Sequence, residues 1–286
     1  MAGRGSGPDF VEALARGLDV LRCFDESHRQ MSLAEVAAGT GLARPTARRL
    51  LLTLQELGYV RSIDGAFSLT PKCLTLGTAY VASLGLWDIA RPHLEALVRT
   101  TGESSSMAQL DGSDIVYVAR VSVPKIIALR VDIGTLFPAP VTSQGKVLLA
   151  ALSPDELASV LAAPSRSSVV LSPASVELIA TRLDAELTQV RARGWALADE
   201  ELAPGVRSIA VPVRDGTGTV RAAMNVTVHA AETSTEHLLD QHLPKLLRAA
   251  GDVSADWATW QSRPHREVPA PGTPGPDPSV DGPEGE

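Results

Sequence analysis

The sequence holds no run of 18 apolar residues, which leaves no conventional membrane-spanning helix to read from it. Its start, Met1 to Asp9, is glycine-rich with one arginine and no apolar stretch, unlike a secretory signal. Cysteine is nearly missing. Cys23 and Cys73 stand 50 residues apart and match neither a disulfide framework nor a zinc site. Aromatics make up only 4%, so Leu, Val, Ile and Ala must fill the cores. A cytoplasmic protein without membrane contact is the expectation.

Catalytic signatures are missing as well. There is no Gly-x-Ser-x-Gly elbow, P-loop, His-Glu-x-x-His or dinucleotide fingerprint. Gly3-Arg4-Gly5-Ser6-Gly7 reads as a linker and Gly216-Thr217-Gly218 as a hairpin turn. His237 and His242 lie five apart, a poor helical spacing for a shared metal ion. Nothing beside Cys73 marks it as an activated thiol, and Asp199-Glu200-Glu201 reads as a solvated strand end rather than paired acids. The expectation is no catalytic residue, no cofactor and no metal.

What is present begins with 286 residues at 44% hydrophobic, enough for about two domains with real cores. The formal net charge of −7 argues against a nucleic-acid partner only until it is counted by region. Residues 1–84 carry 9 basic and 8 acidic residues, 85–260 carry 15 and 20, and 261–286 carry 2 and 5. The acidity therefore belongs to the middle and the tail. Residues 43–55 hold Arg44, Arg48 and Arg49 and no acid, a basic face of the kind that meets phosphates.

Phe10 to Phe24 has helical spacing, with Phe10, Leu14, Leu18 and Leu21 on one stripe. Ser32 and Glu35 form a capping-box pattern that opens a short second helix, ended by Gly39 and Gly41. A third helix is expected from Pro45 to Leu57, with Ala47, Leu50, Leu54 and Leu57 inward. Ala43 stands where a hydroxyl would cap it, so that cap is weak. Two helices across a four-residue turn, then a hairpin about Asp64-Gly65, make a winged helix-turn-helix. Its third helix would enter the major groove of double-stranded operator DNA. Arg44 and Arg48, with Pro45 in the same first turn, would reach guanine or phosphate. Thr46 would reach a base edge or phosphate, and Arg49 and Arg61 the backbone.

Lys72 to Leu84 reads as a connecting helix whose apolar content suits a second copy of the chain, and the helical pattern resumes through Leu86–Thr101. From Glu103 the period changes to two. Strands are expected at Ser104–Leu110, Asp114–Val121 (turn at Asp111-Gly112), Ile126–Val131, Trp195–Asp199, Val206–Arg214 and Val220–Val228. Helices are expected at Thr142–Leu152, Pro154–Ala163, Ser175–Arg193 and Thr235–Trp260, with Pro244 kinking or delaying the last. This order gives an α+β domain with an antiparallel sheet. The expected division is a disordered start at 1–8, a winged helix at 9–71, a linker helix at 72–85, a second domain at 86–260 and a disordered acidic Pro/Gly tail at 261–286. Asn225 and Thr227 share one strand face, and Ser143 and Gln144 stand at a helix start, where amides favour an anion.

The runs Leu33-Ala34-Glu35-Val36-Ala37, Gly41 to Leu51, Thr142-Ser143-Gln144-Gly145-Lys146-Val147-Leu148-Leu149-Ala150, Arg193-Gly194-Trp195-Ala196 and Gly205 to Pro212 together resemble the IclR-family transcriptional regulators. The resemblance covers Asp9 to Trp260 and implies a winged helix, a linker helix and a GAF-like effector-binding domain, assembled as dimers or tetramers. A finer resemblance rests on Leu14 to Leu18, Ala47-Arg48-Arg49, Leu69-Thr70-Pro71, Val116 to Arg120 and Glu200-Glu201-Leu202. It is to the subgroup controlling aromatic-acid catabolism through protocatechuate and the β-ketoadipate pathway. Carried over by position, Leu129, Ser143, Gln144, Ser208, Asn225 and Thr227 surround a small carboxylate effector. Arg120, Arg130 or Arg207 would supply the cation. The family often has Gly or Ala where Ser143 and Gln144 stand, and an acid where Ala198 stands. The competing expectations are a family repressor of another small-acid pathway, or an enzyme or sensor domain carrying a winged-helix adaptor.

Overall fold

The computed structural model describes residues 7–25, 27–124 and 131–262. The first part runs α1 (Glu12–Arg22), β1 (Met31–Ser32), α2 (Leu33–Thr40), α3 (Arg44–Glu56), β2 (Val60–Ile63) and β3 (Ala66–Leu69). The capping box forms as expected: Ser32 Oγ accepts from the Glu35 amide and the Ser32 amide donates to the Glu35 carboxylate at 2.7 Å. The turn to α3 is Gly41 to Ala43, with Gly41 at φ 65°. Asp64 and Gly65 both take positive φ, 51° and 82°, the two-residue turn that matches strand twist in a hairpin.

A third strand, β1, joins this wing through Met31 opposite Phe67. Two residues, one of them also a helix cap, leave no alternation to read. Of the inward stripe expected for α3, Ala47 and Leu54 are buried and Leu50 is half-buried against the core, while Leu51 is buried as well and Leu57 is exposed. Helix α1 buries Val20, while Phe10, Leu14 and Leu18 stay at the surface. Lys72 closes the far end of α3, donating to the Leu57 carbonyl at 2.8 Å with its ammonium over the Tyr59 ring.

Helices α4 (Leu74–Leu84) and α5 (Leu86–Thr101) lead into strands β4 (Ser104–Asp111), β5 (Asp114–Val121) and β6 (Leu136–Pro138). Then come α6 (Ser143–Ala150), α7 (Pro154–Ala162), α8 (Pro173–Arg193), β7 (Ala196–Asp199), β8 (Val206–Arg214) and β9 (Val220–His229). The one-turn helix α9 (Thr235–His237) and α10 (Leu243–Gln261) close the described chain. The six strands form one antiparallel sheet in the order β6-β5-β4-β9-β8-β7. Helices α5 and α10 cover one face over Met107, Ile209, Met224 and Val226. Helix α6 covers the other over Ala108, Ala210 and Ala223, with α8 packed against α6. The alternation expected for an α+β domain is what sends these sets to opposite faces.

Several details differ from the sequence pattern. The β4–β5 turn is Gly112-Ser113, one residue later than expected, with Asp111 opposite Asp114. The edge strand β6 went unread because Pro138 ends it, and an edge is where a sheet tolerates proline. The strand expected at Ile126–Val131 falls almost wholly outside the described residues, as do most of the expected tail and the first six residues. The expected break at Pro244 is a π-helical turn over Leu238–His242, since proline has no amide for the regular ladder. Among the described residues both cysteines are free thiols, and no helix is long and apolar enough to cross a membrane.

Helix α6 lies unusually close to its surroundings. A Cβ on Gly145 would sit 2.0 Å from the Ala139 carbonyl oxygen, so only glycine fits there. The opposing sheet face is built from Ser106, Ala108, Ala210 and Ala223, small enough to admit the helix. Thr142 caps α6, its hydroxyl accepting from the Gly145 amide at 3.0 Å. Gly145→Ala is therefore expected to cost more than about 2 kcal/mol of stability through backbone overlap, read by denaturant unfolding. A loss below about 0.5 kcal/mol would show that the contact yields.

Candidate functional site

Two places gather the residues that carry chemistry. The first is the N-terminal half of α3. Arg44, Pro45, Arg48 and Arg49 are exposed and Thr46 half-buried. The N-cap, Ala43, makes no side-chain bond, as its missing hydroxyl predicts. Among the described residues, no carboxylate pairs with Arg44, Arg48 or Arg49, so three guanidinium groups face solvent from a helix start. Arg44 and Arg48 share one flank, while Thr46 and Arg49 border a groove against Leu14 and Leu18 of α1. On the wing, Arg61 donates across the hairpin to Ser68 Oγ at 3.1 Å.

The second is a cavity on the α6 side of the sheet. Two cross-strand rows contribute to its lining, Asn225 and Arg120 from one and Ala198, Ser208 and Thr227 from the other. One row is Ala210, Asn225, Ser106 and Arg120 on β8, β9, β4 and β5; the other is Ala198, Ser208, Thr227 and Ser104. Residues paired across antiparallel strands point to the same face, so each row delivers its side chains together. The first turn of α6 brings Ser143 and Gln144 down onto them. Ser143 Oγ and Ser208 Oγ are 2.7 Å apart, and Asn225 Nδ2 donates to Thr227 Oγ1 at 3.0 Å. Tyr117, Val131, Val141 and Leu202 complete the walls. The enclosed volume is about 30 Å³, room for one or two waters.

Arg120 reaches this cavity because the strand is irregular. Met107 opposes Ala119 and Ala108 opposes Tyr117, which leaves Val118 as an extra residue on β5. The bulge places Tyr117 and Arg120, three apart, on the same side. The guanidinium of Arg120 is half-buried and donates to Ser106 Oγ at 2.9 Å. Desolvation pushes its pKa down, with Tyr117 and Asp132 opposing. Among the described residues no carboxylate pairs with it. Burial pushes the Tyr117 phenol up to about 12, so it remains a neutral donor at any physiological pH.

The other candidate cations are placed differently. Arg207 is not brought to the cavity: Asp199 holds it at 2.7 and 3.1 Å, and it also donates to the Thr233 carbonyl at 2.7 Å. Leu129 and Arg130 lie outside the described residues. Lys146, buried one turn along α6, is neutralised by Glu186 and Glu201, each at 2.7 Å. Through Glu201 it ties down the loop that carries Leu202 to the cavity wall. Of the sequence-expected set, Arg120, Ser143, Gln144, Ser208, Asn225 and Thr227 meet there. Tyr117, Leu202 and Ser106, which holds three of the lining side chains, were missed, and a bulged strand and a loop give no period to find them by.

This geometry agrees with the family comparisons. Residues 13–64 match the model described as IclR helix-turn-helix domain, and residues 78–255 match that of bacterial transcriptional regulator IclR C-terminal. The chain belongs to the IclR family. It is therefore a DNA-binding transcriptional regulator and not an enzyme. The Pca regulon regulatory protein of Pseudomonas putida is 40% identical over 86% of this chain and 84% of its own. That bears out the resemblance to the protocatechuate-type subgroup. A transcriptional regulator structure from Rhodococcus sp. RHA1 is 44% identical, covering 88% of this chain and 100% of its own, with a TM-score of 0.72. An IclR homologue from Microbacterium hydrocarbonoxydans, solved with 4-hydroxybenzoate, is 23% identical. It covers 86% of this chain and 99% of its own with a TM-score of 0.72, a likeness of fold.

The contrast between the two arginines is measurable. Arg207→Met leaves Asp199 and two carbonyls short of a partner and should cost about 2 kcal/mol or more. Arg120→Met removes an un-neutralised cation and should change stability by less than about 0.5 kcal/mol. Thermal unfolding of the two variants side by side checks the assignment; equal losses would contradict it.

Proposed function

We propose that this IclR-family regulator binds a small carboxylate effector, an aromatic acid or a β-ketoadipate-pathway intermediate, in the cavity between α6 and the sheet. The observation that carries the reading is Arg120: a half-buried guanidinium beside the cavity with no carboxylate partner among the described residues. A carboxylate supplies both the countercharge and a bidentate acceptor. The 4-hydroxybenzoate bound by the Microbacterium homologue supports an aromatic acid. Ser143, Ser208, Asn225 and Thr227 contribute the remaining polar wall. A ring-sized acid exceeds about 30 Å³, so it enters only by moving wall side chains. Occupancy then selects a different wall position, the coupling a ligand-responsive regulator requires.

In the same reading, residues 9–71 form the operator-reading unit, 72–85 the linker and 86–260 the effector domain of a cytoplasmic protein. Arg44 and Arg48 reach base edges or phosphate beside Pro45, Thr46 reaches an edge or phosphate, and Arg49 and Arg61 reach the backbone. Exposed Leu14 and Leu18 on α1 and Phe10 just before it, with Leu74 and Leu76 on α4, support assembly with a second copy, as a dimer or tetramer.

Two measurements test this. Arg120→Met is expected to weaken binding of benzoate-class acids about 30-fold or more in calorimetry, with operator affinity in the ligand-free protein kept. Unchanged acid affinity would remove the carboxylate site. Arg44→Ala with Arg48→Ala should weaken binding to the chain's own promoter region and lower the salt slope by about 1 to 2. A parental slope and affinity would move the reading head elsewhere.

A further inference from the structure

The polar groups that line the cavity mostly satisfy one another. Ser143 pairs with Ser208, Asn225 with Thr227, and the Asn225 side-chain oxygen accepts from the Ser106 amide at 3.0 Å. Gln144 differs. It is 1% exposed, and its amide nitrogen donates to two backbone carbonyls, Ser106 at 3.2 Å and Ala223 at 3.0 Å. Those two acceptors fix the amide orientation, since the opposite one would set three oxygens against each other. The Gln144 oxygen is then a buried acceptor with no donor among the described residues, on a side chain that lines the cavity.

We propose that Gln144 is a specificity-determining residue: its amide oxygen accepts a hydrogen bond from a hydroxyl on the effector, so the cavity selects a hydroxylated aromatic acid. The proposal rests on the carboxylate reading above and adds the second end of the ligand. A carboxylate only accepts hydrogen bonds and cannot satisfy Gln144, which directs that end to Arg120. A phenol with an ordinary pKa near 10 stays protonated and can donate. Both anchors are held on one residue, Ser106: its hydroxyl accepts from Arg120 and its carbonyl from Gln144. A dicarboxylate without a donor would set a second anion against the Gln144 oxygen and be rejected. An acid with no hydroxyl would bury that oxygen unpaired.

The test is calorimetric titration of the full chain with benzoate, 3-hydroxybenzoate, 4-hydroxybenzoate, 3,4-dihydroxybenzoate and adipate. At least one hydroxylated acid should bind about tenfold or more tighter than benzoate, with adipate weaker than both. In Gln144→Met the ratio of hydroxylated-acid to benzoate affinity should collapse to within about threefold. The wild-type series decides the matter even if that variant does not fold. Benzoate binding as tightly as every hydroxylated acid would overturn the proposal and leave the carboxylate site standing, and adipate binding tightest would do the same. An Arg120→Met protein with parental benzoate affinity, or no binding by any of the five, would remove the carboxylate site and this proposal together.

Discussion

One residue ties the cavity together. Every hydrogen-bonding atom of Ser106 is committed: its amide to Asn225, its carbonyl to Gln144 and its hydroxyl to Arg120. Those three partners come from β9, α6 and β5, so the position of each is set relative to a single backbone point. The fit is possible because serine is small. A larger side chain in that row would meet α6, which the Gln144 side chain ties to the Ser106 and Ala223 carbonyls while Gly145 admits the Ala139 turn on its other side. Close approach and polar convergence are thus one constraint, and the geometry of the cavity follows from it.

The charges divide along similar lines. Most interior or half-interior cations are consumed by structure. Lys146 serves Glu186 and Glu201, and Arg207 serves Asp199. What remains without a carboxylate partner among the described residues includes Arg120 at the cavity and Arg44, Arg48 and Arg49 on α3. In a chain of net charge −7 this is informative, because acids are in excess and yet, among the described residues, none forms an ion pair with these groups. Unpaired cations in an acidic protein mark where outside anions are expected.

How legible this was in the sequence depended on the range of the interactions. The winged helix was readable because its signals are local: Ser32 with Glu35, Asp64 with Gly65 and glycine in the turn before Arg44. Even there Leu51 is buried more deeply than the expected Leu50, and Leu57 is exposed, since tertiary contact with α1 and β2 decides which leucine turns inward. In the second domain the spacing of Asn225 and Thr227 gave one strand face correctly. Arg120 was named as one of three cations, but nothing local separated it from Arg207. The difference lies in a bulge at Val118 and an acid eight residues before Arg207, both visible only once strands pair. Strand β6 and the role of Leu202 were hidden for the same reason.

The pairing of β4 with β9 also has a meaning in time. Ser104 meets Thr227 and Ser106 meets Asn225, strands separated by more than a hundred residues of intervening chain. Loop closure over such a span is slow compared with forming a local hairpin. A chain emerging from synthesis completes its winged helix with residue 69, from neighbours close in sequence. The cavity floor has no existence until the last strand arrives. The DNA-reading unit is therefore assembled well before anything that could instruct it, and only the finished chain is a regulated one.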